Sequence, residues 1–304
     1  MTNIIFGAVA LGLLWAMMTM GVFITYRILD IADLTVEGSI VLGAATAAMA
    51  ISEGMHPLTA TVLSLGTGML AGLLTGILHT GLKIPPLLSG ILSMIALYSI
   101  NIRVMKGSAN ISLLQMDTIY TPLTAAGFNQ SIAVIIVGLI CCLLAVLVLF
   151  WFFHTEIGCS VRATGDNPHM AHAQGINTNV AKVLGLVISN GLVGLSGGLI
   201  AQYQGFSDVQ MGTGSIVIGL ASLIIGEVLL GRRGLLGKLL SLLFGAVIYR
   251  IIIAMVLKLG MQATDLKLFT ALTVAIALYL PHLKALIVSK FNIKTKGDRY
   301  AGSK

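Results

Sequence analysis

Several stretches of this sequence carry residue types that could do chemistry. His169 and His172 stand three apart, a spacing that puts two imidazoles on one helix face. A zinc site needs three or four ligands, and no Cys, Asp or Glu cluster accompanies the pair, so no metal is expected. The imidazoles read as solvated or as facing a partner. GRRGLLGKL at 231–239 approaches the phosphate-cradling pattern G-x-x-x-x-G-K-[ST]. It fails twice, with Arg232 where glycine is needed and Leu239 where a hydroxyl is needed. GLSG at 194–197 fits the G-x-S-G of an intramembrane serine protease, with Ser196 as nucleophile. That chemistry needs a histidine base within hydrogen-bond reach. His79 and His282, near the ends of apolar runs, are the available histidines. Glu227 and Arg250 are ionisable groups inside apolar runs, where charge is costly and usually faces a bundle interior or a wet cavity. The sequence suggests Glu227 pairing with Arg232 or with Arg250.

The elements that position these residues are membrane spans. Only 10% of the 304 residues are charged, against about 25% for a soluble domain. Apolar runs fall at about 4–26, 39–52, 57–81, 86–105, 130–153, 180–203, 214–230, 238–257 and 267–285. A hydrocarbon core is crossed by about 20 apolar residues. The fold class is therefore an all-α polytopic membrane protein with about 8–10 transmembrane helices, the second run being short enough for a half-helix. The opening run has no basic leader region and does not read as a cleaved signal. Cys141, Cys142 and Cys159 offer no spaced pair and read as packing residues. The +7 charge does not indicate nucleic acid, because much of it sits in a basic tail, 287–304, after the last run. Such a tail marks the cytoplasmic side and can touch anionic lipid. Counting back from it places 155–179 inside and Arg103, Lys106 and Lys258 outside. These three cations are candidates for docking an extracytoplasmic partner through complementary charge.

GSIVLGAA at 38–45 and GSIVIGLA at 214–221 match at six of eight positions with an offset of 176 residues. Within a few residues, the same offset carries run 4–26 onto 180–203, 57–81 onto 238–257 and 86–105 onto 267–285. The chain thus reads as one permeation domain, 1–286. It has a first repeat (about 4–105), an extra span (about 130–153) and a second repeat (about 180–285) that the extra span inverts. Inverted repeats are a transporter signature, with the route at their interface beside broken helices. The matched segments open on polar, glycine-containing stretches, DLTVEGS and SDVQMGTGS. Asp33, Glu37, Ser39, Thr213 and Ser215 are therefore the candidate route-lining residues. Glycines every fourth residue, at Gly68, Gly72 and Gly76 and at Gly194 and Gly198, predict close helix packing.

Between the repeats lies TEIGCSVRATGDNPHMAHAQGI, 155–176, a polar interruption of an otherwise apolar chain. Asp166 or Asn167 suits an N-cap, Pro168 the first helical position and Gly175 a helix stop. The code predicts a helix over 168–174, too short to be stable unless docked. Gly158, Arg162, Ala163 and Gly165 form a compact approach to it. GCSVRATGDNPHMAHAQGI closely resembles the EAA-like cytoplasmic loop of bacterial ABC importer permeases of the branched-chain amino-acid and ribose type. DLTVEGSIVLGAA resembles the DLS-V-GS element of the same proteins, and GSIVIGLASLIIGEVLLG their second-repeat counterpart. The resemblance spans nearly the whole chain and extends to the permeases that accompany tryptophan/tyrosine-type binding proteins.

That resemblance implies a non-enzymatic transport subunit in a bacterial inner membrane with its C-terminus in the cytoplasm. Two permease subunits, expected to be identical, would pair. Two cytoplasmic ATPase subunits would hold ATP-Mg, this chain binding no cofactor, and an extracytoplasmic binding protein would deliver the solute, an aromatic or branched-chain amino acid. In the coupling loop Glu156 and Arg162 would make polar contacts to the ATPase. Gly158, Ala163, Gly165 and Ala171 would allow close approach, and Asp166, Asn167, Pro168 and Gly175 would shape the helix. LSGGL at 195–199 looks like an ATPase signature but lies inside an apolar span. The sequence leaves two other classes open, a self-sufficient secondary transporter and, more remotely, the protease.

Overall fold

The structure is a computed structural model. It describes residues 2–230 and 234–258, with isolated positions 268, 271, 272, 275 and 279 beyond them. Most of the last apolar run, the basic tail, Arg232, Arg233 and His282 lie outside the described residues. In chain order the helices are α1 (Thr2–Phe23), extended by a π-helical turn Ile24–Ile28, α2 (Thr35–Ser52), α3 (Pro57–Thr80) and α4 (Pro86–Val104). Then come α5 (Thr121–Ala125), α6 (Gln130–Phe152), α7 (Glu156–Asp166) and α8 (Pro168–Ala173). The chain continues through α9 (Thr178–Gln204), α10 (Ser215–Leu230) and α11 (Leu235–Lys258). Among the described residues seven helices are long and apolar enough to cross a membrane, and α10 is a shorter apolar helix. The fold is all-α and polytopic. Its short strands, β1 (Asn110–Ser112) and β2 (Phe206–Asp208), pair antiparallel.

Helices α2, α3 and α9 approach closely enough for backbone to meet backbone. A Cβ on Gly43 would strike the Gly194 backbone, and one on Gly68 or Gly72 would strike the α9 backbone at Asn190 and Leu186. In hydrocarbon, where burying apolar surface gives little drive to association, such close packing supplies the dispersion contact that holds helices together. α1 runs antiparallel to α9, with Gly21 against Ser189 and the Ser196 hydroxyl donating to the Leu14 carbonyl at 2.7 Å. α1 also packs on α11, with Gly12 against Val247. α10 and α11 interlock through Gly226 and Gly245. So the helix that opens the first half lies against the second half, and α9 lies against the first.

Two apolar helices begin inside the bundle. After Ile28 the chain turns back along α9, passing Gly185 at Leu29 and reaching Asn190, mid-way along α9, at Asp33. Asp33 Oδ1 accepts from the Thr35 amide at 2.9 Å and so starts α2 at that depth. From the opposite end, Val209 packs beside Ala45, and the chain descends along α2 until Gly212 abuts the Glu37 carbonyl. There α10 begins at Ser215, after Gly214 in the left-handed region (φ +79°), a conformation open to glycine at little cost.

Candidate functional site

The polar loop is two helices. α7 starts at Thr155, whose hydroxyl accepts from the Gly158 amide at 3.2 Å. The stretch expected to be a small-residue approach is thus helical. Gly158 and Gly165 are where α7 touches other backbone. A Cβ on Gly158 would meet Phe152 and Phe153, and one on Gly165 would meet the Ile28 carbonyl. Val161 and Thr164 are buried beneath the helix. α8 is capped by Asn167, whose Oδ1 accepts from Met170 N at 3.0 Å, with Pro168 in its first turn. Asp166 is the last residue of α7 and not the cap. Gly175 (φ +83°) closes α8, its amide donating to His172 O while Ile176 N donates to Ala171 O. Asn177 Oδ1 then caps α9 through Val180 N at 3.2 Å. One capping residue follows another because a six-residue helix has too few internal bonds to stand unaided.

The result is a seated platform with an exposed tip. Ala171 is buried, 3% exposed, while Met170 is 61% exposed and Pro168, His169 and His172 also face outward. Glu156 and Arg162 are exposed, Ala163 half-buried. Arg162 and Asp166 border a cavity of about 330 Å3 with Phe23, Arg27, Leu235 and Lys238. Beside it the Arg27 guanidinium clasps Glu227, with Nε to Oε1 and Nη2 to Oε2 both 3.0 Å. The expected Glu227–Arg250 pair is therefore incorrect. Arg250 lies instead over the Trp15 ring, 4.1 Å from the centroid, its Nε buried without a hydrogen-bond partner among the described residues. Arg27 had gone unmarked in the sequence because it ends the first span as an ordinary interfacial cation would.

The candidate route residues fall into two groups. Asp33 and Ser39 are buried, 2% and 0% exposed, in a network closed by Asn190. Asn190 Nδ2 donates to Asp33 Oδ2 and the Ser39 hydroxyl donates to Asn190 Oδ1, both at 2.7 Å. The hydroxyls of Thr35, Thr75 and Ser93 continue it at 2.8 and 2.7 Å, so α2, α3, α4 and α9 are stitched at one level. Asn190 was missed by the sequence reading. Its signal was a carboxamide centred in a 27-residue apolar helix. Glu37 and Thr213 line a cavity, whereas Ser215 is buried, its hydroxyl without a partner among the described residues. Glu37 Oε1 accepts from Gly214 N at 3.0 Å and ties the start of α2 to the start of α10.

At the end opposite the loop, Lys106 pairs with Glu53 at 2.9 Å on a well-exposed surface, while Arg103 and Lys258 are exposed at the ends of α4 and α11. Ser196, buried, spends its hydroxyl proton on Leu14, and His79 Nδ1 contacts the Ile84 carbonyl at 2.8 Å. Neither is set up as a nucleophile–base pair. Among the described residues no group of three His, Cys, Asp or Glu is placed to hold a metal.

Residues 4–278 match the family described as the branched-chain amino acid transport system / permease component. The chain belongs to this permease family. It is 40% identical over 262 residues to the tyrosine transport system permease protein of Clostridioides difficile (strain R20291), covering 86% of each chain. A protein of Rickettsia prowazekii (strain Madrid E) is 31% identical over 285 residues, 91% of this chain and 97% of its own. The galactofuranose transporter permease protein of Escherichia coli (strain K12) is 30% identical over 163 residues, 53% of this chain and 45% of its own. No solved structure matches significantly. The permease is thus an integral membrane component of an ABC-type transport system.

Proposed function

We propose that this permease carries an amino acid with an aromatic side chain into the cytoplasm, driven by an ATPase that receives the α7–α8 platform. The observation that carries the reading is the build of that platform. α8 is capped at both ends, fixed to the bundle through Ala171 and through α7, and left with Met170 and both histidines exposed. A six-residue helix has no reason to be held so firmly by the bundle unless its exposed face transmits force. Gly165 rests on the Ile28 carbonyl, just where the chain turns back toward Asp33 and the start of α2. Movement of α7 therefore bears directly on a helix that begins inside the bundle.

In this reading two identical permeases and two ATPase subunits assemble, with ATP-Mg bound wholly by the ATPases. The platform and the C-terminus face the cytoplasm of a bacterial inner membrane. The opposite end, with Arg103, Lys106 and Lys258, receives the binding protein. The two interior helix starts lie at the interface of inverted repeats, as the exchanged packing of α1 and α9 supports. Glu37, Thr213 and Ser215 lie along the route, and Asp33 and Ser39 brace it. The amino-acid class follows the 40%-identical tyrosine system permease. The test is co-purification of the permease with the ATPase encoded beside it, wild type against Gly165→Trp. A complex formed by wild type and lost in the variant supports the reading. A complex formed by neither, in detergent and in nanodiscs, points to a transporter that works without an ATPase.

A further inference from the structure

The geometry points to a subsite for a primary ammonium group at Glu37, in the cavity between α2 and α4. This deepens the transport reading and rests on it for the identity of the carried solute, though not for the binding chemistry itself. The cavity has a volume of about 470 Å3, within the range of small-molecule pockets, and its wall includes Glu37, Met94, Tyr98, Ser99, Asn101 and Thr213. It lies beside the meeting point of the two interior helix starts, where Glu37 Oε1 accepts from Gly214 N.

Three features of the wall share one polarity. Glu37 is half-buried, its Oε1 is engaged, and its other oxygen has no hydrogen-bond or ion-pair partner among the described residues. Asn101 is 1% exposed. Its Nδ2 donates to the Gly38 carbonyl at 3.2 Å, which fixes the amide orientation and leaves Oδ1 buried with no partner among the described residues. Tyr98, 55% exposed, presents an aromatic ring to the same space. Among the described residues no Lys, Arg or His lines it. A carboxylate and a ring face, with a buried carbonyl oxygen behind the wall, together suit a cation. An ammonium has three donors and no acceptor, and an aromatic face attracts it further. A ligand carboxylate, with acceptors only, would face a like charge.

The cap on Gly214 gives Glu37 a purely structural alternative role, and Glu37→Gln separates the two. The glutamine carbonyl can still accept from Gly214 N, while the negative charge is gone. The experiment measures binding to the full chain in nanodiscs with two probes, tyramine, which has the ammonium and no carboxylate, and 3-(4-hydroxyphenyl)propionate, which has the reverse. Wild type should bind tyramine saturably and the acid at least about tenfold more weakly, the ratio expected from one charge-assisted hydrogen bond. Glu37→Gln should weaken tyramine by a similar factor at an unchanged melting temperature. Tyr98→Ala, an exposed position that leaves the core intact, should weaken it several-fold, with Tyr98→Phe restoring most of the loss. Equal binding of the two probes, no tyramine binding by wild type, or undiminished tyramine binding by a folded Glu37→Gln variant would each overturn the subsite. Should tyramine bind as described while the reconstituted permease and ATPase move no amino acid, the subsite stands and the transport reading falls.

Discussion

Replacing Gly165 with alanine is the smallest change that tests whether α7 is a transmitting element. The new methyl would overlap the Ile28 carbonyl oxygen and lie 2.7 Å from the Ile28 carbonyl carbon and 3.0 Å from Leu29 Cα. Carbon atoms prefer about 3.5–4.0 Å, so α7 must back away by more than about 1 Å to clear the carbonyl oxygen, and the obstacle is backbone that no rotamer change can clear. Overpacking of this kind costs about 1–3 kcal/mol. Alanine recovers roughly 0.5–1 kcal/mol through its better helix propensity. At the midpoints of these ranges the net loss is about 1 kcal/mol, which lowers the ratio of seated to unseated α7 by about 5- to 10-fold. Amide hydrogen exchange over residues 156–166 should accelerate by that factor, while α3 and α9 stay as protected as in wild type. ATP-driven uptake should fall several-fold with normal membrane insertion. Gly175→Ala is the control. Its Cβ meets nothing, and only the positive φ (+83°) is strained, so it should cost about 1 kcal/mol and loosen α8 without unseating α7. A Gly165→Ala protein that exchanges and transports as wild type would refute the reasoning.

Three more outcomes follow from the packing. Asn190→Leu leaves Asp33 Oδ2 and the Ser39 hydroxyl without their 2.7 Å partners inside the bundle, and should cost about 1–3 kcal/mol per orphaned group, read as a lowered melting temperature in detergent. Gly194→Leu should prevent α2, α3 and α9 from closing, because Gly43, Ser64 and Gly68 occupy the space with backbone, and the variant should be recovered aggregated or degraded. Arg27→Glu with Glu227→Arg should restore what either single reversal loses. The gain should be no more than about 1 kcal/mol, since the Arg27 side chain is 53% exposed and screened by solvent. Reversing Glu227 together with Arg250 should restore nothing.

The extent to which the sequence foretold the structure varies by element. The spans were legible because hydrocarbon imposes length and composition directly. The caps of α8 were legible because Asn167, Pro168 and Gly175 each have a local conformational reason to stand where they do. α7 is legible in the sequence only as a compact small-residue approach to α8, since Gly158 and Gly165 weaken a helix by propensity. Tertiary contact overrides that argument, as both glycines are there to let α7 lie against backbone. The interior start of α2 could be suspected from DLTVEGS, but its partner Asn190 lies 157 residues away and nothing local marks the pairing. The pairing of Glu227 with Arg250 failed for the same reason: the sequence places Arg250 near on the chain, whereas the fold brings Arg27 from 200 residues upstream. Pattern reads what one segment must do alone, and the contacts that assemble the route join distant segments.

Uptake of radiolabelled tyrosine by proteoliposomes is the most direct test of the whole account. The vesicles would hold the permease and its ATPase, with the binding protein outside and ATP inside. Wild type should accumulate tyrosine only with all three proteins and hydrolysable ATP, and Gly165→Trp should insert normally yet accumulate none. Tyrosine accumulation by the permease alone on an ion gradient, or full ATP-driven uptake by Gly165→Trp, would contradict the assignment of α7 and α8 as the coupling element.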